Sequence, residues 1–597
     1  MNKKRLYGLV VFLVSLVIYS ISANPDVTFT DNGELAGVCS SLGIAHPTGY
    51  PLFTILGYIW SMIPLPLTQI HSLNIFASVL TAFSVLVFYF TNYEFLKAAG
   101  IKHQEKDLVI ASASSLTYAL ALTVWQQALS LEVYSLQLLL INLILLFALK
   151  AYNSESPFRY LILTAFIAGL GFSNHMTTIL MLPALLYVFF VIPKEKMWQS
   201  NRIKTLLILL IPLLVGLSFY LYLPLRSAQE PAFNWGAVHR SFDKFMYHVQ
   251  GKQYQVWMFS GGEAIKKNLG IFFSSLPYQL GFIGLLAAIT GIFYIYKRNR
   301  HLFWITFIMF ITCLAYAVNY SIHDIEAYFS TAFIALFVFT FFGFKYFLNK
   351  KPKLLPLIFA VPLISFGVNL STNYKGNDET VSAYTEILTN NLDSNAVIIS
   401  AQWDYWCSAF WYKQQIEGIR KDVVMIEKEL LRRTWYPHQL RNWYPETIRK
   451  CENQLKLFEE QLELFEAGDN YDPLKIQPRF ENLLKCFIES NIDERPVYVT
   501  LDILQTEPYL TKKYVNIPDG FAIRLEKKPV NEKIELDDKL ITKFINSSSG
   551  YQGHLYDGIR ETAGIYLSTI SRYAASAGKN EVAEKAGNYA RILMQNK

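Results

Sequence analysis

Long apolar runs, nearly free of charge, recur through the first 371 positions of this 597-residue chain, and no other feature limits the fold as much. A run of about twenty apolar residues crosses the hydrocarbon core of a bilayer as a helix, because a helix satisfies its own backbone polar groups. Such runs are read at 6–23, 73–96, 108–124, 132–150, 159–173, 177–192, 205–224, 272–296, 302–319, 327–348 and 354–371. The expectation is an α-helical polytopic membrane protein with about 11 transmembrane helices. Apolar residues come in runs and not in alternation, which excludes a porin-like barrel. The first run follows Lys3, Lys4 and Arg5, and Ser20 to Ala23 loosely fits a signal-cleavage site. A retained first helix is the favoured reading.

Threading the runs with the N-terminus inside puts Lys97, Lys102, Lys106, Lys150, Arg159, Lys194, Lys196, Arg202, Lys204, Lys297, Arg298, Arg300, Lys350, Lys351 and Lys353 on the cytoplasmic side. That register holds only if the apolar segment 51–63 does not fully cross, so it is read as a juxtamembrane or re-entrant helix before Pro64-Leu-Pro66. The opposite face then receives Asp26, Asp31, Glu34, Glu132, His175, Asp324 and Glu326, with the loop of about 225–271. A formal charge of +7, with the basic residues in short inter-helix loops, gives no reason to expect nucleic acid.

After Ser371 the composition turns from apolar to mixed, which reads as an extracytoplasmic α/β plus helical domain. The organisation expected is 1–371 transmembrane, 372–530 α/β and 531–597 a C-terminal helical hairpin segment. Strands are predicted at 395–400, 422–426, 495–500 and 520–524, with helical spacing through 443–490. No glycine-rich phosphate loop accompanies them. Trp403, Asp404, Tyr405 and Trp406 follow the first strand, at the end where open α/β sheets place ligands. A polypeptide or glycan contact and plain helix-start packing are both open there, packing being the commoner use of an aromatic cluster. Of the five cysteines, at most Cys451 and Cys486 could bridge.

Asp31 and Glu34 in Thr28-Phe-Thr-Asp-Asn-Gly-Glu-Leu lie three residues apart and share a face if the segment is helical. Carboxylates at a membrane boundary can serve as a general base. The next segment, Gly43-Ile-Ala-His46-Pro-Thr-Gly-Tyr50-Pro, has the His, Gly and Pro content of a rigid turn entering a helix. Glu132 and Tyr134 open one apolar run and His175 sits between two others, and ionisable groups at such depth are functional candidates. Arg226 in Leu-Pro-Leu-Arg-Ser offers the planar fork suited to a phosphate oxyanion. Trp235, Arg240, Lys252 and Tyr254 in the following loop interleave bases and aromatics, as an anionic lipid head group with a sugar attached requires. Snorkelling cations on an interfacial helix are the plainer use of such lysines.

Taken together, Asp-Asn-Gly-Glu-Leu, His-Pro-Thr-Gly-Tyr-Pro-Leu, Glu-Val-Tyr, Ser-Asn-His, Leu-Pro-Leu-Arg-Ser and Pro-Ala-Phe-Asn-Trp-Gly resemble a multi-spanning family common in Bacteroidetes. That family includes an animal endoplasmic-reticulum protein O-mannosyltransferase and is similar to the wider class of GT-C fold membrane glycosyltransferases. The resemblance implies a GT-C-like fold, a polyprenyl-phosphate-linked sugar donor, an extracytoplasmic protein acceptor and inversion at the anomeric carbon. It also implies that the acid of the first external loop, Asp31 with Glu34 as neighbour or substitute, is the catalytic base. Thr48 stands where a second Pro is common.

The expected activity is therefore transfer of a sugar or oligosaccharide to Ser or Thr hydroxyls. Arg226, Arg240, Lys252, Trp235 and Tyr254 would bind the donor, and His46, Tyr50, Glu132, Tyr134, His175 and Asp324 would line the site. The sequence points to no particular cofactor; a divalent metal is the one these carboxylates could hold. A lipid-linked sugar flippase and transfer to a lipid or polysaccharide are the alternatives. The expected location is a bacterial inner membrane with the C-terminal domain in the periplasm.

Overall fold

The computed structural model describes residues 2–101, 104–196, 201–322, 324–529 and 535–595; Lys102 and the boundary at 530/531 lie outside them. Eight helices among these residues are long and apolar enough to cross a membrane: Lys3–Ser22, Gln69–Ala98, Val133–Tyr152, Arg202–Ser227, Gly262–Arg298, Arg300–Val318, Ile325–Lys350 and Pro352–Asn373. The chain is thus a polytopic α-helical membrane protein, with eight long apolar helices where eleven were expected. The other three runs form shorter elements. Glu105–Ala119 has 15 residues and Phe158–Asn174 has 17, while the third splits into a 3₁₀ segment, Met176–Met181, and a helix, Leu182–Val191, with Pro183 in its first turn. At 1.5 Å per residue, 15 to 17 residues reach about 23–26 Å, short of a hydrocarbon core of about 30 Å. The segment after His46 forms an 11-residue helix, Pro51–Ser61, shorter still.

The chain divides into two compact units that alternate along the sequence. The first comprises Met1–Ala23, Pro47–Leu225 and Met246–Gly376, and holds the long helices. Its most enclosed element is the phenylalanine-rich helix Ser330–Lys350, where Lys345 pairs with Asp107, both fully enclosed. Burying such a pair costs desolvation, and removing either partner would strand the other charge among apolar helices.

The second unit comprises Asn24–His46, Arg226–Phe245 and Asn377–Lys597. Its centre is a five-stranded sheet of β1 (Val397–Ser400), β2 (Val424–Glu427), β3 (Val497–Val499), β4 (Val515–Asp519) and β5 (Ala522–Glu526), in the order β2-β1-β3-β5-β4. β1 runs parallel to both β2 and β3, while β5 is antiparallel to β3 and β4. β1, β2 and β3 are buried throughout, which accounts for their continuous apolar sequence. β4 was not expected from sequence. It carries Pro518, which breaks the strand pattern and is tolerated because β4 is an edge. The helices Glu452–Ala467 and Pro473–Glu489 are joined by the Cys451–Cys486 disulfide at their bases. The tail forms the paired helices His554–Ser576 and Asn580–Gln595.

Candidate active site

Asp31 occupies the N-cap position of the helix Asn32–Ser41, and Glu34 lies in its first turn. The Asp31 side chain makes no cap bond. Instead its Oδ1 accepts the indole N–H of Trp403 at 2.7 Å, across 372 positions of sequence. Two glycines permit this docking. A Cβ on Gly33 would lie 2.4 Å from the carbonyl oxygen of Ser408, and one on Gly37 would lie 2.2 Å from the Phe233 ring. Ser408 also fixes the turn from its side chain, where its Oγ accepts the Glu34 backbone N–H at 3.0 Å. The helix carrying both acids is therefore seated on the helix Ser408–Gln415 that follows β1.

The two acids, alike in sequence, have different surroundings. Glu34 is completely buried and spends both oxygens on one residue. Its Oε1 accepts the His46 backbone N–H at 3.0 Å, and its Oε2 lies 2.6 Å from His46 Nδ1. Burial pushes the Glu34 carboxyl above its ordinary range, opposed by the His46 imidazole, and the nearby Asp31 adds to the rise. Asp31 keeps 36% of its side chain exposed, and its Oδ2 is 3.8 Å from His46 Nε2. With Glu34 ionised, Nδ1–H points at Glu34 and the Nε2 lone pair faces Asp31. Asp31, His46 and Glu34 thus run in order from solvent to the interior, with the open Asp31 carboxylate placed to accept a proton.

Asp31, Glu34 and His46 bring three ligand-type atoms within 4.8 Å of one another, and so do Glu230, His239 and His438. In the first group both Glu34 oxygens also hydrogen-bond to His46. Two carboxylates and an imidazole are a ligand set that could hold a divalent ion.

Aromatic residues wall this constellation. Trp235 is 5% exposed and lies 4.5 Å from Trp435, 5.6 Å from Trp403 and 5.9 Å from His46 between ring centroids. Arg226 donates from Nε to Leu42 O (2.8 Å), from Nη2 to Ser41 O (3.2 Å) and from Nη1 to Gln229 (2.6 Å), which closes the end of the Asn32–Ser41 helix. Arg240 donates to Thr434 and to the carbonyls of Gly236 and Ala237, and burial lowers the pKa of its guanidinium. Lys244, a neighbour in sequence, pairs with Glu466 at 2.6 Å.

The remaining candidates fall in the first compact unit. The His175 ring stacks on Tyr50 at 5.9 Å and meets Tyr134 at 5.2 Å and Tyr328 at 5.6 Å. Asp324 lies close enough to act electrostatically on Tyr134 and Tyr328. Glu132 is the N-cap residue of the helix Val133–Tyr152. Tyr254 stacks on Trp257 at 5.6 Å, and the exposed Lys252 sits over Tyr247 at 5.7 Å. Tyr328 escaped the sequence reading, because a tyrosine in an apolar run carries no mark of its own.

Each unit also holds a cavity. One of about 400 Å³, lined by Trp403, Asp404, Tyr405, Asp502 and Glu561, opens at the carboxyl ends of β1 and β3, and burial raises the Asp502 carboxyl. Adjacent parallel strands whose chains leave in different directions form a crevice at that end. The other, about 460 Å³ and apolar, lies among Leu161, Leu186, Phe189, Leu207 and Leu210 in the first unit.

A polytopic membrane chain with a half-open carboxylate backed by an imidazole and a buried carboxylate has the parts of an acid–base enzyme. The family described as the protein O-mannosyl-transferase TMEM260 N-terminal domain matches residues 31–199. Protein O-mannosyl-transferase tmem260 of Dictyostelium discoideum is 23% identical over 602 residues, covering 89% of this chain and 68% of the relative. Protein O-mannosyl-transferase TMEM260 of Mus musculus is 21% identical over 457 residues, covering 71% of this chain and 63% of that protein. The chain thus spans about two thirds of the length of these relatives. Among solved structures, ArnT from Cupriavidus metallidurans bound to undecaprenyl phosphate aligns with a TM-score of 0.44 at 10% identity, over 88% of this chain and 99% of ArnT.

Proposed function

We propose that the chain is an inverting membrane glycosyltransferase that moves a sugar from a polyprenyl-phosphate-type carrier to Ser or Thr hydroxyls of proteins on the extracytoplasmic face. The observation that carries the reading is the contrast between the two acids: Asp31 is open, while Glu34 is closed and holds His46. The acceptor hydroxyl gives its proton to Asp31 Oδ2 as its oxygen attacks the anomeric carbon. The bond from that carbon to the phosphate oxygen breaks, and its electron pair leaves on the lipid phosphate. His46, oriented by Glu34, favours the charged forms of the site and passes the proton on. Trp403 holds Asp31 in place through its N–H.

Lys252 and Arg226 are the cations assigned to the departing phosphate, whose charge grows as the bond breaks. Arg240 and Trp235 brace the loop behind the site, and Tyr254 is assigned to the donor. Tyr50, Tyr134, His175, Glu132 and Asp324 are assigned to sugar hydroxyls, and the apolar groove to the lipid tail. The cavity beside Trp403 suits the acceptor polypeptide. Similarity to proteins named as O-mannosyl-transferases makes mannose the first sugar to test, with en bloc transfer of an oligosaccharide as the variant. A GT-C-like arrangement, a bacterial inner membrane and a periplasmic C-terminal domain complete the reading; the Cys451–Cys486 disulfide suits an oxidising compartment.

The test is transfer to a Ser/Thr peptide by purified protein supplied with polyprenyl-linked donors. Asp31→Asn is expected to lower turnover by about 10²–10⁴-fold, the range for loss of a general base, without changing the melting temperature. Full activity in Asp31→Asn would refute the assignment. Translocation of lipid-linked sugar in liposomes, with no transfer from any donor, would replace it with a flippase.

A further inference from the structure

Glu230, His239 and His438 come from three separate segments of the second unit: a turn after Ser227, the turn Trp235–Arg240 and the helix Tyr436–Trp443. Each contributes one ligand-type atom, all within 4.8 Å of one another. We infer that these three residues form a binding site for a zinc-class divalent ion, distinct from the Asp31–His46–Glu34 chain.

The donor set is the first reason. Two imidazoles and one carboxylate suit a borderline ion such as zinc, and leave a fourth position for water. Bonds of about 2.0–2.2 Å in a tetrahedron place ligand atoms roughly 3.3–3.5 Å apart. Glu230 Oε1 and His438 Nε2 are already 3.1 Å apart. Their side chains are 43% and 32% exposed, which leaves them free to part by the few tenths of an ångström that an ion between them requires.

The second reason is the hydrogen bonding around the ligands. Asn234 Nδ2 donates to the Ser227 carbonyl at 3.1 Å, which fixes Asn234 Oδ1 as an acceptor. The single hydroxyl proton of Ser227 goes to that Oδ1 at 2.7 Å. Ser227 Oγ must then accept from His239, whose Nδ1 is 2.8 Å away. His239 is therefore the Nδ1–H tautomer, and its Nε2 lone pair is left for a ligand. Histidines that bind metal are oriented in this way, by an outer partner on the other ring nitrogen. Glu230 is treated alike: Asn442 donates to Oε2 at 3.0 Å and leaves Oε1 toward His438. One carboxylate and two neutral imidazoles give a net negative shell for a dication.

Occupancy would reach the candidate active site through the same bonds. Asn234 bridges Ile44, with the Ile44 N–H donating to Phe233 O at 2.8 Å, and Ile44 lies two residues before His46. The ion would pin the loop that backs His46.

The experiment uses the full chain in detergent, stripped of metal and titrated with cobalt(II) alone, read by visible ligand-field bands and by elemental analysis after dialysis, with zinc as competitor. One equivalent per chain is expected, displaced by zinc. Affinity should fall at least about 10-fold in His438→Ala and Glu230→Gln, and by about 10-fold in Ser227→Ala through the orientation of His239, while His46→Gln keeps it. Glu230→Gln is partly exposed and nearly isosteric, so it decides the matter should His438→Ala fail to fold. Absence of a bound equivalent in the wild type, binding that survives Glu230→Gln, or binding lost only in His46→Gln would each overturn the proposal; in the first case the 3.1 Å contact is an ion pair and nothing more. None of these readouts depends on glycosyl transfer.

Discussion

Replacing Glu34 by glutamine changes one atom and reverses which way His46 can hold its proton. Glu34 Oε2, 2.6 Å from His46 Nδ1, becomes an amide nitrogen, while Oε1 still accepts the His46 backbone N–H at 3.0 Å. The amide donates to Nδ1, so the ring proton moves to Nε2 and the lone pair that faced Asp31 is lost. What disappears is a charge-assisted hydrogen bond in a site with no solvent to screen it, worth about 1.5–3 kcal/mol. At about 1.4 kcal/mol per decade, kcat/KM should drop roughly 10- to 150-fold.

The pH profile separates this from a merely structural defect. Burial raises the Glu34 carboxyl, so in the wild type kcat/KM should fall on acidification at a pH above the ordinary carboxylate range. The glutamine variant has no such limb. Stability moves the other way. A carboxyl whose folded pKa is raised contributes stability at low pH that is lost as pH rises through that value, so the variant should melt no lower than the wild type under alkaline conditions. Rates of transfer from lipid-linked donor to peptide, measured from acid to neutral pH alongside thermal melts, give both quantities. A variant within two-fold of wild type at every pH would refute the relay.

Two further substitutions probe the surroundings. Trp403→Phe keeps the ring but removes the 2.7 Å N–H contact to Asp31. Because Asp31 is 36% exposed and water can replace the donor, the loss should be about 1 kcal/mol, roughly 5-fold in kcat/KM with little change in peptide KM; an unchanged rate would free Asp31 from Trp403. Glu427, at the end of β2, is fully enclosed, and burial lifts its carboxyl to about 8. Its contribution to stability is complete below the unfolded pKa and lost as pH rises through about 8, on the order of 5 kcal/mol in all. Glu427→Gln should flatten the fall in melting temperature between acidic and alkaline buffer, and an equal fall in both proteins would contradict the buried, neutral carboxyl.

The membrane character was legible because hydropathy is additive along the chain. The helix count was less so, since 15 or 17 apolar residues look much like 20 in a run but fall short in length once helix ends form. In the second unit, β1 and β2 could be read as continuous buried strands. β4 could not, because Pro518 is permitted only by an edge position that depends on the order of all five strands. The sites of interest depended still more on distant partners. Trp403 was visible as an aromatic beside a strand end, and packing was the reasonable reading. Its N–H finds Asp31 across 372 positions, a relation no local pattern carries. The His239 and His438 pair was invisible for the same reason, being 199 positions apart.

Asp31 and Glu34 make the physical point most directly. Helical spacing of three puts them on one face and gives no ground for telling them apart. What separates them is the close approach that Gly33 and Gly37 allow, which drives the first turn of the helix against Ser408 and Phe233. Glu34, inside that turn, loses all contact with water; Asp31, at the cap, does not. A side chain at Gly33 would lift the turn, wet Glu34 and lower its carboxyl toward the ordinary range. The difference between a base and the group that orients its partner is then set by two missing methyl groups, in a segment whose acids alone attract attention in the sequence.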